Sequence, residues 1–127
     1  MNGNWEAVRE FHLQFDSPVS DHPVMLEKDR AEKRYRWMLE ELEEFIESGD
    51  IYDQADAMID LIYFALGTLV EMGVKPQELF SAVHRANMAK LWPDGRVHHN
   101  EEGKVIKSPS WVDPHNEMKS IIDNEAF

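Results

Sequence analysis

Nine carboxylates fall within the twenty-one residues from Glu40 to Asp60, and six of them stand at spacings that could do chemistry. Glu40, Glu41 and Glu44 close one stretch of helical periodicity, and Asp53, Asp56 and Asp60 open the next, with Ser48-Gly49-Asp50 between them. Side chains three or four apart share a helix face. A break this short folds the second helix back on the first, so the two acidic groups can face each other. Such a set of oxygens suits a hard divalent cation. All-carboxylate ligation favours magnesium, with manganese as a substitute, over zinc or copper. A di-iron bundle also uses glutamates on facing helices, but it needs Glu-x-x-His pairs, and none of the six histidines has a glutamate three residues before it. The plainer reading of a Glu-rich helix is a solvated face. Against it stands Leu61-Ile62-Tyr63-Phe64-Ala65-Leu66, apolar on all sides, on the same helix as the aspartates. A helix of that kind is buried, which turns its acids toward the protein or an interface, and buried carboxylates persist when paired or metal-bound.

The elements that must position these acids are helical. Asn4 can cap a first helix whose apolar face is Trp5, Val8, Phe11 and Phe15, ended by Asp16-Ser17-Pro18. A second helix is expected over about residues 24–48, with Tyr35, Met38, Leu39, Leu42, Phe45 and Ile46 facing inward. Asp50 caps a third over about 51–72, stopped by Gly73, with Ala55, Met58, Ile59, Ile62, Leu66 and Leu69 as its core side. Pro76 opens a fourth that ends near Lys90, its inner side Leu79, Phe80 and Val83. A loop or short hairpin follows, with turns at Asp94-Gly95 and Glu102-Gly103. Asp113-Pro114 begins a short last helix with Met118, Ile121 and Ile122 inward. The expectation is an all-α bundle of four to five helices in a single domain over residues 1–127.

Charge narrows the partners. The chain carries a formal net charge of −12, which argues against a nucleic acid polymer. From His84 to Lys107, however, Arg85, Lys90, Arg96, Lys104 and Lys107 oppose only Asp94, Glu101 and Glu102. A basic segment on an acidic chain points to a local anion such as a phosphate. The chain has no cysteine, so a disulfide framework and a thiolate zinc site are excluded. No apolar run approaches the ~20 residues that cross a bilayer, and the start lacks a signal-peptide pattern. A cytoplasmic protein with no membrane role is expected. The third helix is apolar on more sides than one small chain can cover, which predicts a homodimer, with a tetramer as the alternative.

Four motifs in this order resemble one family. They are Glu40-Glu41-x-x-Glu44, an acidic helix ending in Asp60-Leu61-Ile62-Tyr63-Phe64, then Val83-His84-Arg85-Ala86-Asn87-Met88-Ala89-Lys90, and Gly103-Lys104-Val105-Ile106-Lys107-Ser108-Pro109-Ser110-Trp111. Together they resemble the all-α nucleoside triphosphate pyrophosphatases, the MazG-like and dimeric dUTPase superfamily, from about Tyr35 to Trp111. The resemblance implies hydrolysis between the α- and β-phosphates of a nucleotide, dUTP or a non-standard deoxynucleotide being favoured, with a phosphoribosyl-ATP type of substrate as the runner-up. It implies magnesium at Glu41, Glu44 and Asp60. The family's fourth ligand falls on Ala57, which has no donor; Asp56, one turn before Asp60, is the favoured replacement and Asp53 the other. Glu40, Glu41 and Glu44 are implied as groups acting on the attacking water. Lys90, Lys104, Lys107 and Arg85 would hold phosphate oxygens, although lysines also serve plain solubility. Asn87 is disfavoured mid-helix and would contact the nucleotide. Trp37 and Tyr63 could stack on a base, while aromatics at helical spacing also serve as core. A non-catalytic nucleotide- or partner-binding module is the reading that Ala57 keeps open.

Overall fold

The structure, a computed structural model, describes residues 1–125. It has five helices and, among the described residues, no strand beyond one isolated bridge between His99 and Val105. The chain divides into two compact units. The first, Met1–Pro76, holds α1 (Asn2–Gln14), α2 (Lys28–Glu47) and α3 (Ile51–Met72). The second begins at Gln77 and holds α4 (Gln77–Met88), a loop and α5 (His115–Glu125). Among the described residues, no single helix is long and apolar enough to cross a membrane.

In the first unit α2 and α3 run antiparallel. Arg30 meets Glu71, Arg34 meets Thr68, and Trp37 meets Phe64, each step up α2 matching a step down α3. The turn between them is set locally. Ser48 Oγ donates to Glu44 O at 2.6 Å, and Asp50 caps α3 by accepting from the Asp53 N–H at 2.8 Å. α1 packs on α3 through Trp5, Val8, Leu66 and Val70, all buried, with Val19 and Leu69 around them.

α2 begins at Lys28 rather than near Val24. The residues of the expected first turn are used differently, since the segment 20–27 is non-helical and bonds to the end of α3. Ser20 N–H donates to Val70 O at 3.3 Å and Val24 N–H to Met72 O at 2.8 Å. These bonds satisfy carbonyls that a helix end leaves unpaired, and Pro23 already disfavours helix at the residue before it. Gly73 makes the crossing possible. Its φ is +68°, and a Cβ there would stand 2.2 Å from His22 O and 3.0 Å from Ser20 O. Gly73→Ala is therefore expected to destabilise the protein by about 2 kcal/mol or more, since both the backbone conformation and the space exclude a methyl. Urea denaturation checks this; an unchanged midpoint would show that the strap does not hold as drawn.

The buried faces differ from the apolar stripes. Phe11 on α1 and Phe15 at its C-cap are 41% and 63% exposed, and His12 takes the inward position at 3%. On α2, Tyr35, Leu42 and Ile46 are exposed, whereas Arg34 is buried. On α3, Ile59 and Ile62 are exposed and Ala57, Leu66, Gly67, Val70 and Glu71 are buried. On α4, Phe80 is exposed and Ala82 is buried beside Leu79. The reason in the first unit is a buried ionic network. Glu71 Oε1 accepts from Arg30 Nε at 2.7 Å, and Oε2 accepts from Arg30 Nη2 at 3.0 Å and Arg34 Nη1 at 2.8 Å. Arg34 Nε donates to Thr68 Oγ1 and Nη2 to Phe64 O. Turning these groups inward rotates the purely apolar strips of both helices outward.

In the second unit the expected turns form. Gly95 N–H donates to Trp92 O, Gly103 N–H to Asn100 O, and Ile106 N–H to His98 O across the short hairpin. Asp113 Oδ1 accepts from the His115 N–H and caps α5.

Candidate functional site

The α2–α3 turn brings the sequence-predicted acids together. Glu41 is half-buried and hydrogen-bonded to the Glu44 carboxyl group. Burial, that bond, and the charges of Glu44, Asp60 and Asp56 push the Glu41 carboxyl up to about 7. Asp60 is also raised, by burial first and then by Asp56 and Glu44. Glu41, Glu44, Asp56 and Asp60 are thus electrostatic neighbours, two from each helix. Asp56 acts on both of these half-buried acids, whereas Asp53 stands one turn closer to the cap at Asp50. Glu44, Glu47, Ser48, Asp53 and Asp56 line a cleft of about 300 Å³. Asp53 and Asp56 are exposed at its surface, so the aspartate stripe opens onto this cleft rather than into the core. Ala57 is buried at 2% and contributes packing. Glu40 points to the exposed side of α2.

Among the described residues, no three Asp, Glu or His groups form a finished metal cage. One atom of the cluster calls for a cation. Glu41 Oε2 is buried and, among the described residues, has no hydrogen-bond partner. An orphaned carboxylate oxygen beside three further carboxylates is costly without a positive charge. The donor set, hard oxygens only, fits magnesium or manganese.

One helical turn away, about 6 Å along the axis, the same helix pair carries an aromatic cleft of about 190 Å³. It is lined by Phe11, His12, Ser17, Arg34, Trp37, Tyr63 and Phe64. Both predicted base-stacking residues are in it. Trp37 lies 6.1 Å from Phe64, and Tyr63 meets Phe11 edge-on at 5.7 Å. The guanidinium groups of Arg30 and Arg34 lie 5.1 and 5.3 Å from the Trp37 ring. This shell of His12, Arg30, Arg34 and Glu71 is the part that the periodicity reading missed. A signal was present: Arg30 and Arg34 are one turn apart, and Glu71 is a lone acid at the end of an apolar run.

The remaining predicted residues lie in the second unit. Lys90 and Lys107 both approach the ring of Trp111, at 5.7 and 4.7 Å from its centroid. Trp111 is fixed by its Nε1–H, which donates to Ala86 O at 2.7 Å. Two ammonium groups on one indole make a local positive site on an otherwise acidic chain. Lys104 is exposed in the hairpin turn, where its N–H donates to Asn100 Oδ1. Asn87 is exposed on α4. Arg85 is ion-paired with Glu117. Trp92 stacks on His98 at 4.0 Å and donates from Nε1 to Ile106 O, so the hairpin has its own aromatic staple. His98 also pairs with Asp94.

Comparison with known proteins gives the family. The profile of the phosphoribosyl-ATP pyrophosphohydrolase family matches residues 8–87, a span that contains all four clustered carboxylates. Among solved structures, the chain is similar to a protein of Exiguobacterium sp. 255-15 assigned as an NTP pyrophosphohydrolase, with 28% identity and a TM-score of 0.52 over 96% of this chain and 95% of that one. No curated protein matches. With the family profile covering well over half its length, this all-α chain belongs to the phosphoribosyl-ATP pyrophosphohydrolase family, among the MazG-like NTP pyrophosphohydrolases, and is a hydrolase of pyrophosphate bonds.

Proposed function

We propose that this enzyme cleaves a nucleoside triphosphate between the α- and β-phosphates, releasing the monophosphate and pyrophosphate. In this reading Glu41, Glu44, Asp56 and Asp60 hold magnesium, which manganese can replace. The observation that carries it is the buried, unpartnered Oε2 of Glu41 inside a four-carboxylate cluster. When bound, the cation neutralises phosphate charge and makes a water more acidic. The chain's own acids do the rest. Glu41 and Glu44 orient the attacking water and receive its proton, with Glu40 as an outer base. Lys90, Lys104, Lys107 and Arg85 donate to phosphate oxygens. Asn87 offers an amide to the nucleotide, and Trp37 and Tyr63 flank its base. The whole chain acts as one pyrophosphohydrolase domain. The outward apolar strip of Tyr35, Leu42, Ile46, Ile59 and Ile62 supports a homodimer or tetramer. A nucleotide substrate is consistent with the cytoplasm.

The favoured substrate is dUTP or a non-standard deoxynucleoside triphosphate. Phosphoribosyl-ATP is the second reading, favoured by the family profile over residues 8–87. Pyrophosphate release from a panel containing both, in magnesium, manganese or EDTA, tests the proposal. Release from one or a few nucleotides, abolished by EDTA, is expected. Release that survives EDTA, or none from any substrate by a well-folded protein, would overturn it.

A further inference from the structure

The aromatic cleft has a polar floor that no role above uses. His12 and Arg34 are 3% and 4% exposed and both line the cleft. His12 Nδ1 lies 2.8 Å from Pro18 O. A carbonyl oxygen can only accept, so Nδ1 carries the ring proton of the neutral imidazole and Nε2 keeps a lone pair. Arg34 has five N–H groups. One each from Nε, Nη1 and Nη2 goes to Thr68 Oγ1, Glu71 Oε2 and Phe64 O. Each terminal nitrogen therefore retains one further N–H. The two side chains meet at one place. A Cβ on Gly67 would lie 2.5 Å from Arg34 Nη2 and 2.9 Å from His12 Nε2. Both atoms thus pack against Gly67, closer than any side chain there would allow, and their residues line the cleft together with Phe11, Trp37, Tyr63 and Phe64.

We propose that this cleft receives the base of the nucleotide, and that Arg34 and His12 together select a lactam edge. The O=C–N–H unit of uracil, hypoxanthine or guanine matches the pair: its oxygen accepts from Arg34 and its N–H donates to His12 Nε2. The edge of cytosine or adenine presents an amino donor where the lactam has its oxygen, and a bare ring nitrogen beside it. Such a base meets the same pair only with its ring turned over, which exchanges the two positions. Phosphates anchored at the carboxylate cluster oppose that inversion. The proposal rests on the carboxylate cluster acting on the phosphates of the same molecule, and it adds the class of base.

Calorimetric titration with monophosphates separates the two readings, because products bind whether or not turnover occurs. UMP is compared with CMP, and IMP with AMP; the matching triphosphates are assayed for pyrophosphate release. At least about tenfold tighter binding of UMP and IMP is expected, since a site built around paired polar groups rejects a mismatched edge strongly. Equal or weaker binding of UMP and IMP would overturn the assignment. Hydrolysis of all four triphosphates without base preference would overturn the cleft and leave the hydrolase reading standing. A lactam preference in binding with no hydrolysis would do the reverse. In His12→Leu, checked for native circular dichroism, the preference is expected to fall to near parity. A preference that survives would place the reader elsewhere.

Discussion

Glu41→Gln is expected to abolish turnover and to stabilise the metal-free protein. Loss of about 10³-fold or more in pyrophosphate release follows if Glu41 both holds the cation and handles the water's proton. Asp60→Asn should do the same from the opposite helix. The stability effect has its own physical origin. In the unfolded chain a glutamate titrates near its ordinary value, about 4.3. In the fold, burial and the neighbouring acids raise Glu41 to about 7. At pH below about 4 both states are protonated and the group carries no penalty. As pH rises from about 4 to about 7, the unfolded state releases this proton first, so the native state loses stability; above 7 the loss is complete. Partial exposure of the site discounts the effect to about 1 kcal/mol, a few degrees in Tm. The mutant's gain in Tm over wild type should therefore be larger at pH 8 than at pH 5, and magnesium should reproduce part of it in the wild type. Differential scanning calorimetry at the two pH values, in EDTA, measures this. A mutant that keeps its activity, or a Tm difference independent of pH, would remove Glu41 from the centre of the site.

Glu71→Ala is expected to be the most damaging single change to stability, at about 3–5 kcal/mol. Glu71 is 2% exposed and is bonded to two arginines at 2.7–3.0 Å. Deleting it strands Arg34, itself 4% exposed, with an uncompensated charge. The two arginines differ in situation. Arg34 has its pKa lowered, mainly by burial, whereas Arg30 at the rim has its pKa raised, mainly by the hydrogen bond to Glu71. Arg30→Ala should consequently cost less than Arg34→Ala. Denaturation by urea ranks the three variants. A Glu71→Ala protein as stable as wild type would mean that the network is ornamental. The damage should extend to the aromatic cleft, because Arg30 and Arg34 lie over Trp37.

Much of the helix plan was legible in the sequence, because its signals are local. Asp50, Gly73, Asp113 and the turns at Gly95 and Gly103 act through their own backbone conformation or cap, and each does in the structure what its residue type predicts. The acids were legible for a similar reason: spacing of three and four fixes a shared face, and a three-residue break brings α3 back along α2. Inward orientation was a different matter. Periodicity ranks faces by hydrophobicity, and it sent Tyr35, Ile46, Ile59 and Phe15 inward. The structure instead buries Arg34 and Glu71, whose mutual hydrogen bond offsets a desolvation that neither residue could bear alone, and His12, which bonds to Pro18 O. That compensation involves residues up to 41 positions apart. It exists only once α2 and α3 are paired, so no local pattern can carry it. The carboxylate cluster was thus written into the chain by spacing, while the floor of the neighbouring cleft, with His12 and Arg34 packed against Gly67, was decided by tertiary packing.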